Sequence, residues 1–218
     1  MLVQFLDDAI DADGQIRRWR VDRAGLIEAV RYAQSFYVEC TANDPFGFEY
    51  VVSYAKAGRF LRDTYAGYNG WAKDDAQNQT AIKNDDLKIR IHPCNFCSLT
   101  ANPSHSPSNI SEKGTAAREN TRCNEQLSFF DIPEVLHDVS AERNEYTTLL
   151  LGMNFESDFL KAELSLPVKF NKGRLTRLSI RVPLLDGEPP KDVDVKLPKS
   201  PKPSDVFGEV DIAIGRKA

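Results

Sequence analysis

Three strand-like runs near the C-terminus constrain the fold of this chain more than any other feature. They are YTTLLLGMNF, LKAELSLPVKF and RLTRLSIRVPLL, joined by the short segments ESD and NKG. Apolar and polar residues alternate through the second and third runs, as in strands with one buried and one solvated face. Asn171-Lys172-Gly173 has the composition of a tight hairpin turn. The runs therefore predict an antiparallel meander in the C-terminal half.

The first two-thirds of the chain supply helices that would cover this meander. Apolar residues recur at helical spacing in one segment: Leu26, Ile27, Val30, Ala33 and Phe36. Asp22 precedes them and is suited to accept an N–H bond as the N-cap. A second helix is predicted over residues 55–65, after a strand at 50–52, and a third over residues 129–139. The predicted fold class is α+β, an antiparallel β-meander covered by helices from the N-terminal two-thirds.

Local composition predicts two further elements. LVQFL and QIRRWRV flank an Asp/Gly-rich segment at residues 11–14, which indicates an N-terminal hairpin. Ala9 and Arg20 stand where a calcium loop needs its first and last acidic ligands, so we set calcium binding aside. DLKIRIHP predicts a strand over residues 87–92 that ends at Pro93.

Changes in composition along the chain predict its domain organisation. Residues 1–186 are expected to form a single α+β domain, because 218 residues suffice for one good core. A long polar loop interrupts this domain at about residues 98–126, and loops of that length are uncommon in compact domains. A Pro/Lys-rich extended tether is predicted at 187–206, followed by a returning terminal strand at 207–218.

The segment HPCNFC, which opens the polar loop, is the main candidate site in the sequence. Five residues of the types that bind zinc lie in or near it: His92, Cys94, Cys97, His105 and Cys123. A CxxC pair lets two thiolates converge on one ion, and zinc prefers four ligands in a tetrahedron. The sequence therefore raises the hypothesis of a structural zinc site that ties the loop to the strand. The simpler interpretation is free thiols at the end of a strand.

Catalytic interpretations of the chain lack essential residues. Nucleobase deaminases need an upstream His-x-Glu motif, and no histidine precedes His92. A redox CxxC normally opens a helix, whereas Pro103 leaves room for one helical turn after Cys97. There is also no Gly-x-Ser-x-Gly elbow and no phosphate-binding Gly-rich loop. We therefore favour a non-catalytic role.

Two basic clusters are further candidate binding sites. The residues concerned are Arg17, Arg18, Trp19 and Arg20 near the N-terminus, and Arg177 and Arg181 in the third strand-like run. Such side chains can contact phosphates and stack on a base. The net charge of −4 and the pI of about 5.5 argue against general nucleic-acid binding. A solvated strand face is therefore the simpler interpretation of the arginines.

Localisation and function are predicted mainly from features that the sequence lacks. It has no basic N-terminal region before a long apolar run, and no stretch approaches the roughly 20 apolar residues of a membrane span. We therefore expect a cytoplasmic protein without membrane contact. The predicted function is that of a non-catalytic interaction or regulatory protein, with another protein as its partner. The alternative is a metal-dependent nucleic-acid-binding or processing protein that uses zinc at the Cys/His segment.

Overall fold

The computed structural model describes residues 3–76, 79–114, 124, 146–155 and 159–188. In this part of the chain, three helices accompany a seven-stranded mixed sheet, so the fold class is α+β. The elements in chain order are β1 (Gln4–Phe5), α1 (Ala9–Arg18), α2 (Arg23–Glu39), α3 (Phe48–Tyr65), β2 (Trp71–Asp74), β3 (Ala81–Asn84), β4 (Ile89–Asn95), β5 (Thr147–Asn154), β6 (Leu160–Asn171) and β7 (Arg174–Glu188). The helices of this part do not include one long and apolar enough to cross a membrane.

The sheet combines two antiparallel groups of three strands. Its order is β1-β7-β6-β5-β4-β3-β2, in which β2–β3–β4 and β5–β6–β7 are antiparallel neighbours. The two groups meet where β4 runs parallel to β5, and β1 lies parallel to β7 at the edge. Strands β5–β7 are antiparallel neighbours, but the predicted antiparallel meander is not confirmed as the fold, because the sheet that contains them is mixed. The chain between β4 and β5 is long enough for the crossover that parallel neighbours require.

The predicted N-terminal hairpin is wrong, because residues 9–18 form a helix. The carboxylate of Asp8 accepts the N–H groups of Ile10 and Asp11 at 2.8 and 3.2 Å and so caps the first turn of α1. Ala12 and Ile16, four residues apart, are both buried. Local capping and helical burial thus prevail over the turn composition of residues 11–14.

The prediction for α2 is confirmed, whereas that for α3 needs correction. Asp22 caps α2 by accepting the N–H of Gly25 at 2.7 Å. Residues 50–52, predicted as a strand, instead belong to the first turns of α3. Gly58 lies inside this helix, where an added Cβ would approach the Thr80 methyl to 2.4 Å. The glycine therefore permits close packing of the helix rather than ending it.

The fourth strand, Ile89–Asn95, runs further than predicted. Pro93 lies inside β4, opposite Leu151 of β5. Pairing with β3 on the other side ends at Ile91. Proline cannot donate a ladder bond, so it is tolerated where no neighbouring strand needs one. Beyond Ile91 the polar loop borders the strand, because the N–H of Ile110 donates to the carbonyl of Asn95 at 2.9 Å.

Both faces of the central sheet are covered. The main core joins α1, α2 and α3 to one face, and a second cluster consists of Cys94, Phe96, Leu150, Leu175 and Leu178. All eight residues of β5 are buried. The solvated face expected from the alternation of β6 and β7 is thus largely absent, because residues 97–113 lie over it and bond to it.

The predicted tether overlaps the last strand, since β7 extends to Glu188. The rest of the tether, the returning strand at 207–218 and the helix predicted at 129–139 lie outside the described residues.

Candidate functional site

The residues of the predicted zinc site lie in different environments. Cys94 is fully buried in the second cluster, and its burial raises the pKa of the thiol. Cys97 lies just beyond β4, where its Sγ accepts the N–H of Ser108 at 3.4 Å. His105 is exposed on the loop. Within the described part of the chain, no three His, Cys, Asp or Glu side chains are grouped to hold a metal ion. Cys123 lies outside it, so the zinc site remains a prediction.

His92 is a buried, neutral histidine. The His92 and Tyr54 rings pack in a T-shaped arrangement with centroids 5.4 Å apart. The His92 ring also forms a hydrogen bond with the backbone of Thr80. Nδ1 has no hydrogen-bond partner in the described residues. Burial, and then the charge of Lys113, lower the pKa of His92 to about 3.

This pKa predicts a specific loss of stability in mild acid. An unfolded histidine takes up a proton near pH 6.5, whereas His92 in the folded protein does so only near pH 3. The unfolded state therefore binds more protons between these values, and stability falls as the pH is lowered through this window. We expect the His92 contribution to the free energy of unfolding to drop by about 1 kcal/mol between pH 6 and pH 5.

Urea denaturation across this range measures the effect. His92→Gln should remove that part of the slope, while His105→Gln, at an exposed loop position, should retain it. Identical slopes in wild-type and His92→Gln protein would contradict the assignment.

The arginine and tryptophan residues proposed for nucleic-acid binding lie in different environments. Trp19 is buried in the main core and Arg181 is buried under the loop, so neither is accessible to a nucleic acid. Arg20 forms an ion pair with Asp86 at 3.0 Å. The other three are divided between two elements, Arg17 and Arg18 on α1 and Arg177 on β7.

Arg181 instead forms a buried ion pair with Glu163. Its Nε and Nη2 donate to the two carboxylate oxygens at 3.0 and 2.6 Å. Its Nη1 donates to the carbonyls of Asn102 and His105 at 2.8 and 3.0 Å. The Glu163 carboxylate also accepts the N–H of Ala101 at 2.7 Å and the hydroxyl of Ser165. The pair therefore holds the start of the loop against β6 and β7.

A second set of polar contacts holds residues 109–111, near the end of the loop's first described part. The side-chain amide of Asn109 donates to the carbonyls of Ser111 and Gly173 and accepts the N–H of Leu175. Arg174 donates to the carbonyls of Asn109 and Ile110. The described part of the polar loop is thus fixed by hydrogen bonds at both ends.

A pocket of about 190 Å³ lies beside the end of β4. Its walls come from the start of α3, the end of β4 and the loop: Gly47, Tyr50, Val51, Tyr54, Asn95, Ser111 and Lys113. The Asn95 amide donates to the Tyr50 carbonyl at 2.7 Å and its oxygen accepts from the Ser53 hydroxyl at 3.3 Å. These bonds fix the strand to α3 along one side of the pocket.

The corner between α2 and α3 exposes a group of apolar side chains, named here the corner surface: Val38, Phe46, Phe48 and Val51. Phe46 is fully exposed, and Val38 and Val51 are 65% and 62% exposed. Tyr37 and Tyr50, with ring centroids 5.9 Å apart, hold the end of α2 against the start of α3. Val51 also lines the pocket, so the two features adjoin.

Carboxylates border the corner surface. Partial burial raises the pKa of the Cys40 thiol, and the charges of Asp44, Glu49 and Glu39 raise it further. All three carboxylates therefore act on the loop between the two helices, and the corner carries negative potential.

Phe46, Val51 and Lys113 are not among the site residues predicted from the sequence. The composition of the aromatic-rich segment FGFEYVV is most simply explained by a place in the core, whereas an exposed aromatic patch would be a binding surface. Pro45 and Gly47 around Phe46 were the available signal, because such residues mark a surface turn between helices. Comparison of the chain with protein-family models, curated proteins and solved structures gives no match.

Proposed function

We propose that the protein is a non-catalytic interaction protein that binds another protein through the corner surface. The fully exposed ring of Phe46, beside the exposed Val38 and Val51, is the observation that carries this proposal. Single exposed apolar residues are ordinary, but several at one corner between two helices, with carboxylates beside them, suit a protein-binding site. Aromatic side chains in particular supply most of the binding energy at such surfaces.

The charges around the corner surface define the partner's chemistry. Glu39, Asp44 and Glu49 favour a partner that carries lysine or arginine residues around an apolar contact. The same charges repel the phosphates of a nucleic acid, which supports a protein as the partner. The partner is therefore expected to present an apolar centre that packs on Phe46 and a basic rim.

Site-specific photo-crosslinking tests this proposal in cells that express the protein. A benzophenone amino acid at Phe46 keeps an aromatic side chain there, and the same amino acid at Tyr68, which is 68% exposed, is the matched control. We expect position 46 to crosslink a discrete partner and position 68 not to do so. Phe46→Ala should then weaken binding of the purified partner by about tenfold or more, as for a central aromatic contact.

Charge reversal separates a specific contact from nonspecific adhesion. Glu39→Lys combined with Glu49→Lys should reduce crosslinking from position 46, because a basic partner would be repelled. Equal crosslinking from positions 46 and 68 would refute the proposal. Crosslinking to a second copy of the same chain would replace it with self-association.

A further inference from the structure

The pocket beside β4 holds a lysine ammonium among neutral groups. Lys113 Nζ lies 5.7 Å from the centre of the Tyr54 ring, and its charge lowers the pKa of the Cys94 thiol against the larger effect of burial. Its charge also acts on His92, which is neutral above about pH 3. Among the described residues, no carboxylate lies within 4 Å of this ammonium. A half-buried cation without a counter-charge favours binding of an anion.

The backbone around Lys113 is fixed before any ligand binds. Its N–H donates to the carbonyl of Gly173 at 2.9 Å. Gly173 adopts φ +74° in the turn between β6 and β7, and an added Cβ would lie 2.7 Å from the Lys113 carbonyl oxygen. The turn therefore packs directly on the lysine backbone. A preformed wall of this kind lowers the entropic cost of binding.

We propose that this pocket binds a small organic carboxylate, whose charge pairs with Lys113 and whose planar apolar body packs against Tyr50 and Tyr54. A single ammonium matches one negative charge, whereas a phosphate group is better matched by the fork of an arginine. The volume of about 190 Å³ lies below the roughly 300–1,000 Å³ of pockets for drug-sized ligands. Ser111 adds a hydroxyl at the rim. This inference does not depend on partner binding at the corner surface.

Titration of the purified protein with phenylacetate tests the proposal. Backbone amide NMR shifts of Tyr50, Val51 and Ser111 should move together and saturate. Phenylacetamide has the same apolar body without the charge. It should bind at least about tenfold more weakly, the loss expected for one charge-assisted hydrogen bond. Inorganic phosphate, a bare anion, should also bind more weakly than phenylacetate.

Three substitutions make the result specific to the pocket. Lys113→Met keeps the apolar stem and should weaken phenylacetate binding by about tenfold or more. Ser111→Asp, at an exposed position, should also weaken it, because a local carboxylate would neutralise the lysine. Lys73→Met changes an exposed lysine of β2 outside the pocket and should leave the affinity unchanged.

The opposite results overturn the proposal. They are the absence of a saturable shift, equal binding of phenylacetate and phenylacetamide, equal binding of phosphate, or unchanged affinity in folded Lys113→Met protein.

Discussion

Glu163→Gln is expected to lower the free energy of unfolding by about 3–5 kcal/mol, the usual cost of breaking a buried ion pair by removing one partner. The substitution preserves the shape of the side chain but leaves the Arg181 guanidinium buried without its counter-charge. Arg181 also donates to the carbonyls of Asn102 and His105, so the loss should loosen the loop as well as the sheet. Urea denaturation measures the first effect, and amide hydrogen exchange over residues 97–109 measures the second.

An exposed ion pair provides the matched control. Arg59 and Asp63 are four residues apart on α3, and Arg59 Nε lies 3.4 Å from Asp63 Oδ2. Their side chains are 54% and 47% exposed. Asp63→Asn should therefore cost less than about 1 kcal/mol, because solvent screens such pairs. If Glu163→Gln costs no more than Asp63→Asn, the buried pair does not hold the loop. The double change Glu163→Leu with Arg181→Met should recover part of the loss, since it leaves no unpaired buried charge.

The sequence was sufficient to predict those elements whose cause is local. Asp22 caps α2 as expected, and the hairpin turn at residues 172–173 has positive φ angles at both positions. The turn predicted at residues 11–14 failed because Asp8, upstream of it, caps a helix instead. Local composition supported both structures there, and burial of Ala12 and Ile16 against the rest of the fold decided between them.

The Glu163–Arg181 pair could not be predicted, because its geometry depends on a register shift. Counting back from the pair Asn171↔Arg174, a regular hairpin would place Ser165 opposite Ile180. The shift between Ser165 and Pro167 places it opposite Arg181 instead. A shift of one residue moves a side chain to the other face of a sheet. The shift therefore brings the polar residues of β6 and β7 into register, and whether Arg181 on that face meets Glu163 under a loop or faces solvent depends on the tertiary structure.

The contacts that hold the polar loop could not be predicted either, because they depend on the tertiary structure. The length and composition of the loop suggested that something must hold it, and a metal was one candidate. In the described residues, hydrogen bonds from Arg181, Arg174 and Asn109 hold it. Arginine and asparagine side chains carry no pattern that identifies which backbone carbonyls they will meet. The corner surface was missed for a related reason, since exposure of Phe46 depends on how α2 and α3 meet.

Gly152→Ala is expected to destabilise the protein by about 1–3 kcal/mol or more, although it adds only one methyl group. Gly152 lies in β5, and an added Cβ would approach Cδ2 and Cε2 of the Phe96 ring to 2.2 and 2.3 Å. Phe96 is fully buried, and its carbonyl accepts the Asn154 amide at 2.9 Å. The ring therefore has little freedom to move away, and its displacement would disturb the start of the polar loop. Thermal and urea denaturation measure the cost.

Gly14→Ala is the matched control for this prediction. Gly14 lies inside α1, and an added Cβ would meet nothing within 4 Å. Its replacement should stabilise the protein by about 0.5–1 kcal/mol, because alanine restricts the unfolded chain and favours a helix. The same chemical change is thus expected to have opposite signs at the two positions. A stabilising or neutral Gly152→Ala would contradict the packing of Phe96 on the β5 backbone.

A double-mutant cycle with Phe96→Leu identifies the ring as the cause. Phe96→Leu alone should destabilise the protein, because it removes buried apolar volume. If the added methyl group of Gly152→Ala clashes with the ring, the smaller leucine relieves that clash. The double variant should then be more stable than the sum of the single effects predicts, by at least about 0.5 kcal/mol. Strict additivity would mean that Gly152 is required by the backbone of β5 and not by Phe96.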